Sequence, residues 1–138
     1  MPLAPPVLAY LAGFIHRIRP DVEVRLIDAN REDVDTDTTE TDLVMISVLT
    51  PLAPWAYEVA DRFRLRGIPV VLGGWHATVL PEEAKIHADS VVVGEAEGVL
   101  ETLLSDAENG CLKPYYHGHA IDLKGLPRPE THLLKHTY

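Results

Sequence analysis

The sequence is poor in cysteine and in basic residues. A single cysteine among 138 residues, Cys111, cannot by itself form an internal disulfide, a four-thiolate zinc site or an iron–sulfur cluster. The 12 basic residues are outnumbered by 21 acidic ones, and the net charge of −9 argues against a nucleic-acid or anionic-membrane partner. No apolar run reaches the ~20 residues of a membrane span, and the first residues lack an export signal. We therefore expect a cytoplasmic domain.

Apolar residues make up 46% of the chain, enough to build a core. Their spacing predicts helices over 7–18, 53–66, 81–87 and 97–108, and strands over 22–28, 42–49, 69–74 and 90–93. Strands separated by helices favour parallel pairing through right-handed crossovers. The predicted fold is a three-layer α/β/α sandwich with a parallel sheet of the flavodoxin-like or Rossmann-like type.

Three parts of the chain depart from this pattern. Residues 29–41 are acidic and rich in threonine, which predicts a solvated loop, and residues 113–138 predict an extended tail or linker after a domain over 1–112. The first predicted element is a helix, whereas a doubly wound domain normally opens with a strand. We therefore expect the first strand to be missing and the chain to be a fragment. An exposed sheet edge would then leave open the formation of a homo-oligomer.

Small and polar residues follow the predicted strands at their carboxyl ends, where parallel α/β sheets bind ligands. These stretches are 47–50, Gly73–Thr78 and Gly94–Glu97. Paired glycines let a flat ligand approach the backbone, and the hydroxyls of Ser47 and Thr50 can bond to it. Each feature also has a structural explanation: paired glycines form turns, a serine can bond to its own backbone, a histidine can cap, and glutamates favour a helix N-terminus.

Ser-x-Leu at one strand end and Gly-Gly at the next resemble two of the three marks of cobalamin-binding domains. The longer forms, Gly-Gly-x-His-x-Thr and Gly-Glu-x-Glu, resemble the cobalamin-binding domain that precedes the barrel of many radical SAM enzymes. That group includes methyltransferases and anaerobic magnesium-protoporphyrin monomethyl ester cyclases. The resemblance extends over nearly the whole chain through Leu8–Ala12, Leu26–Asn30 and Asp122–Pro129.

The resemblance implies a cofactor-binding set at the three strand ends: Ser47, Leu49, Thr50, Gly73, Gly74, His76, Thr78, Gly94, Glu95 and Glu97. The first three would line the slot for the nucleotide tail of cobalamin, and the two glycines would let that tail pass. His76 and Thr78 would touch corrin amides or the tail phosphate, and the last three residues would border the groove.

Four departures from the family pattern shape these expectations. The Asp-x-His-x-x-Gly motif, whose histidine ligates cobalt, is absent, so cobalamin is expected base-off without a protein histidine ligand. The opening strand is absent as well, and Val7 stands where the family often has glycine. The Cys-x-x-x-Cys-x-x-Cys motif is missing, so SAM and a 4Fe-4S cluster are expected only in a radical SAM barrel, in cis or in trans. We predict no catalytic residue and no metal ligand in this chain.

The sequence is also compatible with other functions. A non-catalytic remnant or assembly module would share the sequence features and no longer bind cobalamin. A flavodoxin-like carrier of another cofactor would have its phosphate loop in the missing segment. A signalling receiver is disfavoured, because Ser47 and Thr50 stand where it needs a phosphorylatable aspartate.

Overall fold

The computed structural model describes residues 6–120, 124–125 and 127–133. In these ranges the helices are α1 (Pro6–Ile18), α2 (Ala53–Leu65), α3 (Trp75–Val79), α4 (Pro81–Lys85) and α5 (Leu100–Glu108). The strands are β1 (Val44–Ser47), β2 (Val70–Gly73), β3 (Ser90–Val93) and β4 (Tyr115–His117). The chain forms two compact units, one over 35–120 and one made of residues up to Val34 and after Ala120.

The larger unit is built on a parallel four-stranded sheet in the order β1-β2-β3-β4. Val70, Val71, Leu72 and Val91 are almost completely buried in it, as expected of continuous apolar strands covered on both faces. Each connection between successive strands contains at least one helix, which confirms the predicted flavodoxin-like α/β fold.

One face of this sheet is covered by α5. Tyr116 of β4 pairs in register with Val92 of β3, and its hydroxyl donates to Asp106 of α5 at 2.5 Å. A Cβ built at Gly73 would lie 3.6 Å from the Val92 side chain. Because neighbouring residues of paired strands project to the same side, Gly73 lies on the face that α5 covers.

The predicted strand over 22–28 is wrong, since the structure assigns no strand there. The alternating apolar residues do bury one side, because Leu26 and Val24 pack with Ala9 and Ala12 of α1. Alternation determines which side of an extended segment is buried, whereas a strand also needs a neighbouring backbone to pair with. The described part of the chain offers no such partner beside residues 23–28.

Several boundaries also differ from the prediction. Strand β1 is shorter than predicted, and Val44, Met45 and Ile46 are only half-buried, because β1 is an edge strand among the described residues. Residues 75–79, for which neither helix nor strand is predicted, form the short helix α3. Helix α5 begins at Leu100 rather than at residue 97.

The predicted tail contains regular structure. Tyr115–His117 pairs with β3 as the fourth strand, although three residues are too few to show a period in sequence. In the smaller unit the Glu130 N–H donates to the Ala9 carbonyl at 2.9 Å, and the Glu130 carboxylate lies 2.6 Å from the His16 ring. The domain boundary predicted at residue 112 stays a prediction. Residues 1–5, 121–123, 126 and 134–138, on which parts of the similarity depend, lie outside the described residues.

The loop predicted between residues 29 and 41 is confirmed as a series of turns. The Asp35 carboxylate accepts the backbone N–H groups of Asp37 and Thr38, each at 3.0 Å. Arg66, at the end of α2, donates to the carbonyls of Thr36 and Thr39. Short polar contacts therefore order this segment where a crossover helix would otherwise be expected.

Gly118→Ala should lower the free energy of unfolding by about 3 kcal/mol, because a Cβ at Gly118 would overlap the Glu95 carbonyl group. Urea denaturation followed by circular dichroism measures the change. The control is Gly110→Ala: a Cβ there meets no atom within 4 Å, and the φ of +67°, which is unfavourable for alanine, should by itself cost about 1 kcal/mol. Equal losses in the two variants would show that the crossing with Glu95 is no constraint.

Candidate functional site

The carboxyl ends of β1 and β2 are joined by backbone hydrogen bonds. The Val48 N–H donates to the Gly73 carbonyl at 2.8 Å, and the His76 N–H donates to the Val48 carbonyl at 3.0 Å. Gly74, between them, has φ of +89°, and a Cβ there would lie 2.8 Å from Ser47 Oγ and 2.9 Å from the Val48 nitrogen. The fold itself therefore requires glycine at position 74.

Gly73 differs from its neighbour in this respect. A Cβ at Gly73 would make one contact, at 3.6 Å with Val92, which is an ordinary van der Waals distance. Its φ lies outside the left-handed region that favours glycine. The surrounding protein atoms therefore leave room for a Cβ at Gly73, which is itself half-buried, so the fold does not require glycine at this position.

Half-buried Gly73 and the exposed residues of the neighbouring strand ends form a group that we call the strand-end surface, made of Ser47, Leu49, Thr50, Gly73 and Trp75. Ser47 pairs in register with Gly73, and Thr50 begins the 3-10 turn that follows β1. Leu49 is 53% exposed and Trp75 is 70% exposed. A contiguous surface of hydroxyls, glycine and large apolar side chains is typical of ligand-binding edges.

The third predicted stretch, at the end of β3, is tied to α3. The Gly94 N–H donates to the Thr78 hydroxyl at 3.0 Å. Glu95 is exposed, and Glu97 is half-buried in the loop before α5. The structure thus brings Thr78 and Gly94 together, while the placement of the two glutamates in a cofactor groove stays a prediction.

His76 lies in the protein interior, with 6% of its surface exposed. Its Nδ1 lies 3.2 Å from the Thr50 hydroxyl oxygen. Its Nε2 lies 2.8 Å from Glu83 Oε2 and 3.0 Å from the Tyr57 hydroxyl oxygen. Protein groups occupy both ring nitrogens, so the structure connects His76 to the strand-end surface through Thr50.

The electrostatics of this cluster centre on Glu83. The Tyr57 hydroxyl donates to Glu83 Oε2 at 2.7 Å, and this bond, with the one from His76, lowers the pKa of the Glu83 carboxyl below its usual value. Burial, together with the bond to Glu83, raises the pKa of the Tyr57 hydroxyl. At neutral pH Glu83 is therefore ionised and Tyr57 keeps its proton.

The sequence prediction missed Tyr57, Glu83 and two residues that support them, His87 and Asp61. The His87 ring stacks on Tyr57 with centroids 4.3 Å apart, and its Nδ1 lies 3.0 Å from the Asp61 carboxylate. Tyr57 and Asp61 are four residues apart in the chain, as are Glu83 and His87. That spacing places each pair on one side of its helical segment, a signal that the sequence did contain.

Two kinds of feature are absent from the described residues. They contain no group of three or more His, Cys, Asp and Glu side chains arranged to hold a metal ion. None of their helices has the length and apolar character needed to cross a membrane.

The parallel sheet, with small and polar residues at the carboxyl ends of its strands, is typical of flavodoxin-like α/β binding domains. The family model described as the B12 binding domain matches residues 2–104, and the chain belongs to this family.

Two curated relatives come from Chlorobaculum tepidum. The chain is 45% identical to bacteriochlorophyllide d C-8(2)-methyltransferase over 97 residues, which are 70% of this chain and 22% of that protein. It is 37% identical to bacteriochlorophyllide d C-12(1)-methyltransferase over 95 residues, 68% of this chain and 21% of that protein. The chain therefore spans about a fifth of the length of these relatives. No solved structure matches it.

Tyr57→Phe should raise the pKa of Glu83 towards its usual value, because the variant removes the hydrogen bond that lowers it most. A carboxyl whose pKa is lowered on folding stabilises the protein above the usual value of 4.5, and this stabilisation is lost as pH falls. In Tyr57→Phe this acid-induced loss should be smaller. Carboxyl ¹³C NMR of Glu83 across a pH titration measures the shift.

The matched control is Tyr115→Phe, since the ring of Tyr115 in β4 contacts His117 and not the Glu83 cluster. It should leave the pKa of Glu83 unchanged. An unaltered Glu83 titration in Tyr57→Phe would mean that another group holds this pKa down.

Proposed function

We propose that this chain binds cobalamin as a module of a radical SAM methyltransferase, with the nucleotide tail of the cofactor between the strand-end surface and a helix. The observation that carries the proposal is the absence of close neighbours on the side-chain side of Gly73, where a Cβ would meet only Val92, at 3.6 Å. Ser47 pairs in register with Gly73, and Gly73 lies on the sheet face that α5 covers. A narrow space with hydroxyl groups at its rim suits a ribose and phosphate followed by a flat heterocycle.

A second observation on the same face supports the fit. Ser90 is completely buried, and its hydroxyl has no hydrogen-bond partner among the described residues. Ser90 pairs with Val71, which is two residues before Gly73 and therefore on the same face of the sheet. Buried hydroxyls are normally satisfied, so a polar group of a ligand is a fitting partner for this one.

The residues of this chain would bind and orient the cofactor. Ser47, Leu49 and Thr50 would line the slot for the tail, with Gly73 and Gly74 forming its floor. Thr78, Gly94, Glu95 and Glu97 would border it, and His76 would act through Thr50. When bound, cobalamin supplies a cobalt that carries a methyl group, whereas the protein supplies orientation.

We propose that the cofactor is held base-off without a histidine ligand from this chain. The ring nitrogens of His76 are occupied by Thr50, Glu83 and Tyr57. His16 and His87 are each held by a carboxylate. Moving any of these rings to cobalt would break a hydrogen bond within a buried or half-buried cluster, which disfavours ligation.

The wider assignment depends on the relatives. Both are named methyltransferases of a chlorophyll-type tetrapyrrole, so we propose methyl transfer to a tetrapyrrole rather than ring cyclisation. SAM and a 4Fe-4S cluster would belong to a radical SAM barrel in cis or in trans. We also propose a cytoplasmic location. Strand β1, a half-buried edge strand among the described residues, would be the surface for pairing in a homo-oligomer.

Gly73→Leu should weaken methylcobalamin binding at least tenfold, because the longer side chain fills the space proposed for the tail. Absorbance titration of the purified chain, with gel filtration to show co-elution, measures the binding. Gly73→Ala is the matched control, since its Cβ makes only the ordinary contact with Val92. Circular dichroism should show both variants folded, unlike substitutions at Gly74.

Each outcome of this titration decides between functions. Equal affinity in wild type and Gly73→Leu would refute the tail position. A wild-type chain that leaves the pigment free would refute cobalamin binding and favour a non-binding assembly module. Quenching of flavin mononucleotide fluorescence by the wild type would instead favour a flavodoxin-like carrier of flavin.

The base-off proposal predicts an electron paramagnetic resonance spectrum of bound cob(II)alamin without splitting from an axial nitrogen. The experiment compares protein at natural abundance with protein labelled with ¹⁵N. A splitting that changes with the label would identify a protein nitrogen as ligand and overturn the proposal. A splitting that is insensitive to the label would show that the cofactor's own base is bound.

A further inference from the structure

Glu83 determines the tautomer of His76. Glu83 Oε2 accepts the Tyr57 hydroxyl hydrogen at 2.7 Å and lies 2.8 Å from His76 Nε2. The low pKa of Glu83 keeps this oxygen ionised, so it can only accept. A ring nitrogen at this distance from a carboxylate oxygen must carry the hydrogen. Neutral His76 is therefore the Nε2–H tautomer.

The tautomer in turn determines the direction of the bond to Thr50. In neutral His76 the Nδ1 atom has no hydrogen, so it accepts the Thr50 hydroxyl hydrogen across 3.2 Å. Thr50 is exposed and then offers only oxygen lone pairs to a ligand. When His76 takes up a proton, Nδ1–H donates to Thr50, and the hydroxyl hydrogen is free to point outward. The cluster also gains a positive charge.

We propose that His76 is a positioning residue that switches the Thr50 hydroxyl between acceptor and donor, so that a phosphate group at Thr50 is bound with uptake of one proton. This inference rests on the proposed function, in which the phosphate is the phosphodiester of the nucleotide tail. A ligand that prefers the site with protonated His76 binds more tightly at lower pH, and its affinity falls as pH rises, by up to about tenfold per pH unit.

The other titratable groups around His76 are Glu83 of α4, Tyr57 of α2, and, one contact further, His87 and Asp61. The pKa of Glu83 is lowered and that of Tyr57 is raised, so neither titrates near neutral pH. His87 is held by Asp61 at 3.0 Å. His87 is thus the matched control: it is a half-buried imidazole in the same region, bonded to a carboxylate and not to Thr50.

The test measures dissociation constants of methylcobalamin and of cobinamide, which lacks the phosphate and the nucleotide, between about pH 5.5 and 8.5, on either side of the imidazole range. For the wild-type chain, methylcobalamin affinity should fall with rising pH as stated, whereas cobinamide affinity should stay constant. Thr50→Val and His76→Asn should abolish the pH dependence. Thr50→Ser should restore it, and His87→Gln should keep it. The same pH dependence in Thr50→Val and wild type overturns the proposal, and so does its loss in His87→Gln.

A second measurement needs no ligand. Nitrogen-15 NMR of the His76 ring distinguishes the two neutral tautomers in the free chain, and we expect Nε2–H. An Nδ1–H tautomer overturns the switch whether or not cobalamin binds. Failure of both methylcobalamin and cobinamide to bind refutes the proposed function and the phosphate part of this inference, while the tautomer still decides the hydrogen-bond relay.

Discussion

The close approach between Gly74 and the end of β1 is the contact on which the rest of the site depends. It allows Val48 to bond with Gly73 on one side and with His76 on the other. A side chain at position 74 would collide with Ser47 and Val48 and separate the two strands. With the strands held together, Thr50 comes within reach of the His76 ring. This one short backbone contact therefore brings together the strand-end surface around Gly73 and the buried ring of His76.

The polar cluster around buried His76 adds a second level of organisation. His76, Tyr57 and Glu83 come from α3, α2 and α4, and their hydrogen bonds link these helices at the carboxyl edge of the sheet. Satisfied polar clusters favour one arrangement over others, because a displaced helix would leave a buried donor or acceptor without a partner. Rigid positioning of this kind is what a site needs when a cofactor performs the chemistry.

The sequence predicted the strands β2 and β3 and the polar residues at their ends, because buried parallel strands are continuous apolar runs that end in glycine. It could not reveal β4, since Tyr115–His117 is a strand only through its pairing with β3. It placed His76 at a strand end correctly. The burial of that ring depends on Tyr57 and Glu83, which lie 19 and 7 residues away along the chain. Contacts of that kind follow from the packing of helices, and local residue patterns do not encode them.

The two adjacent glycines have different meanings when related sequences are compared. A related sequence that keeps glycine at the position of Gly74 and acquires a large residue at that of Gly73 would still fold, yet the space beside β2 would be closed. Loss of the glycine at the position of Gly74 would instead disrupt the fold, because a side chain there collides with Ser47 and Val48. The Gly-Gly pair thus combines a requirement of the fold at Gly74 with the binding requirement that we propose at Gly73, and these two requirements can diverge during evolution.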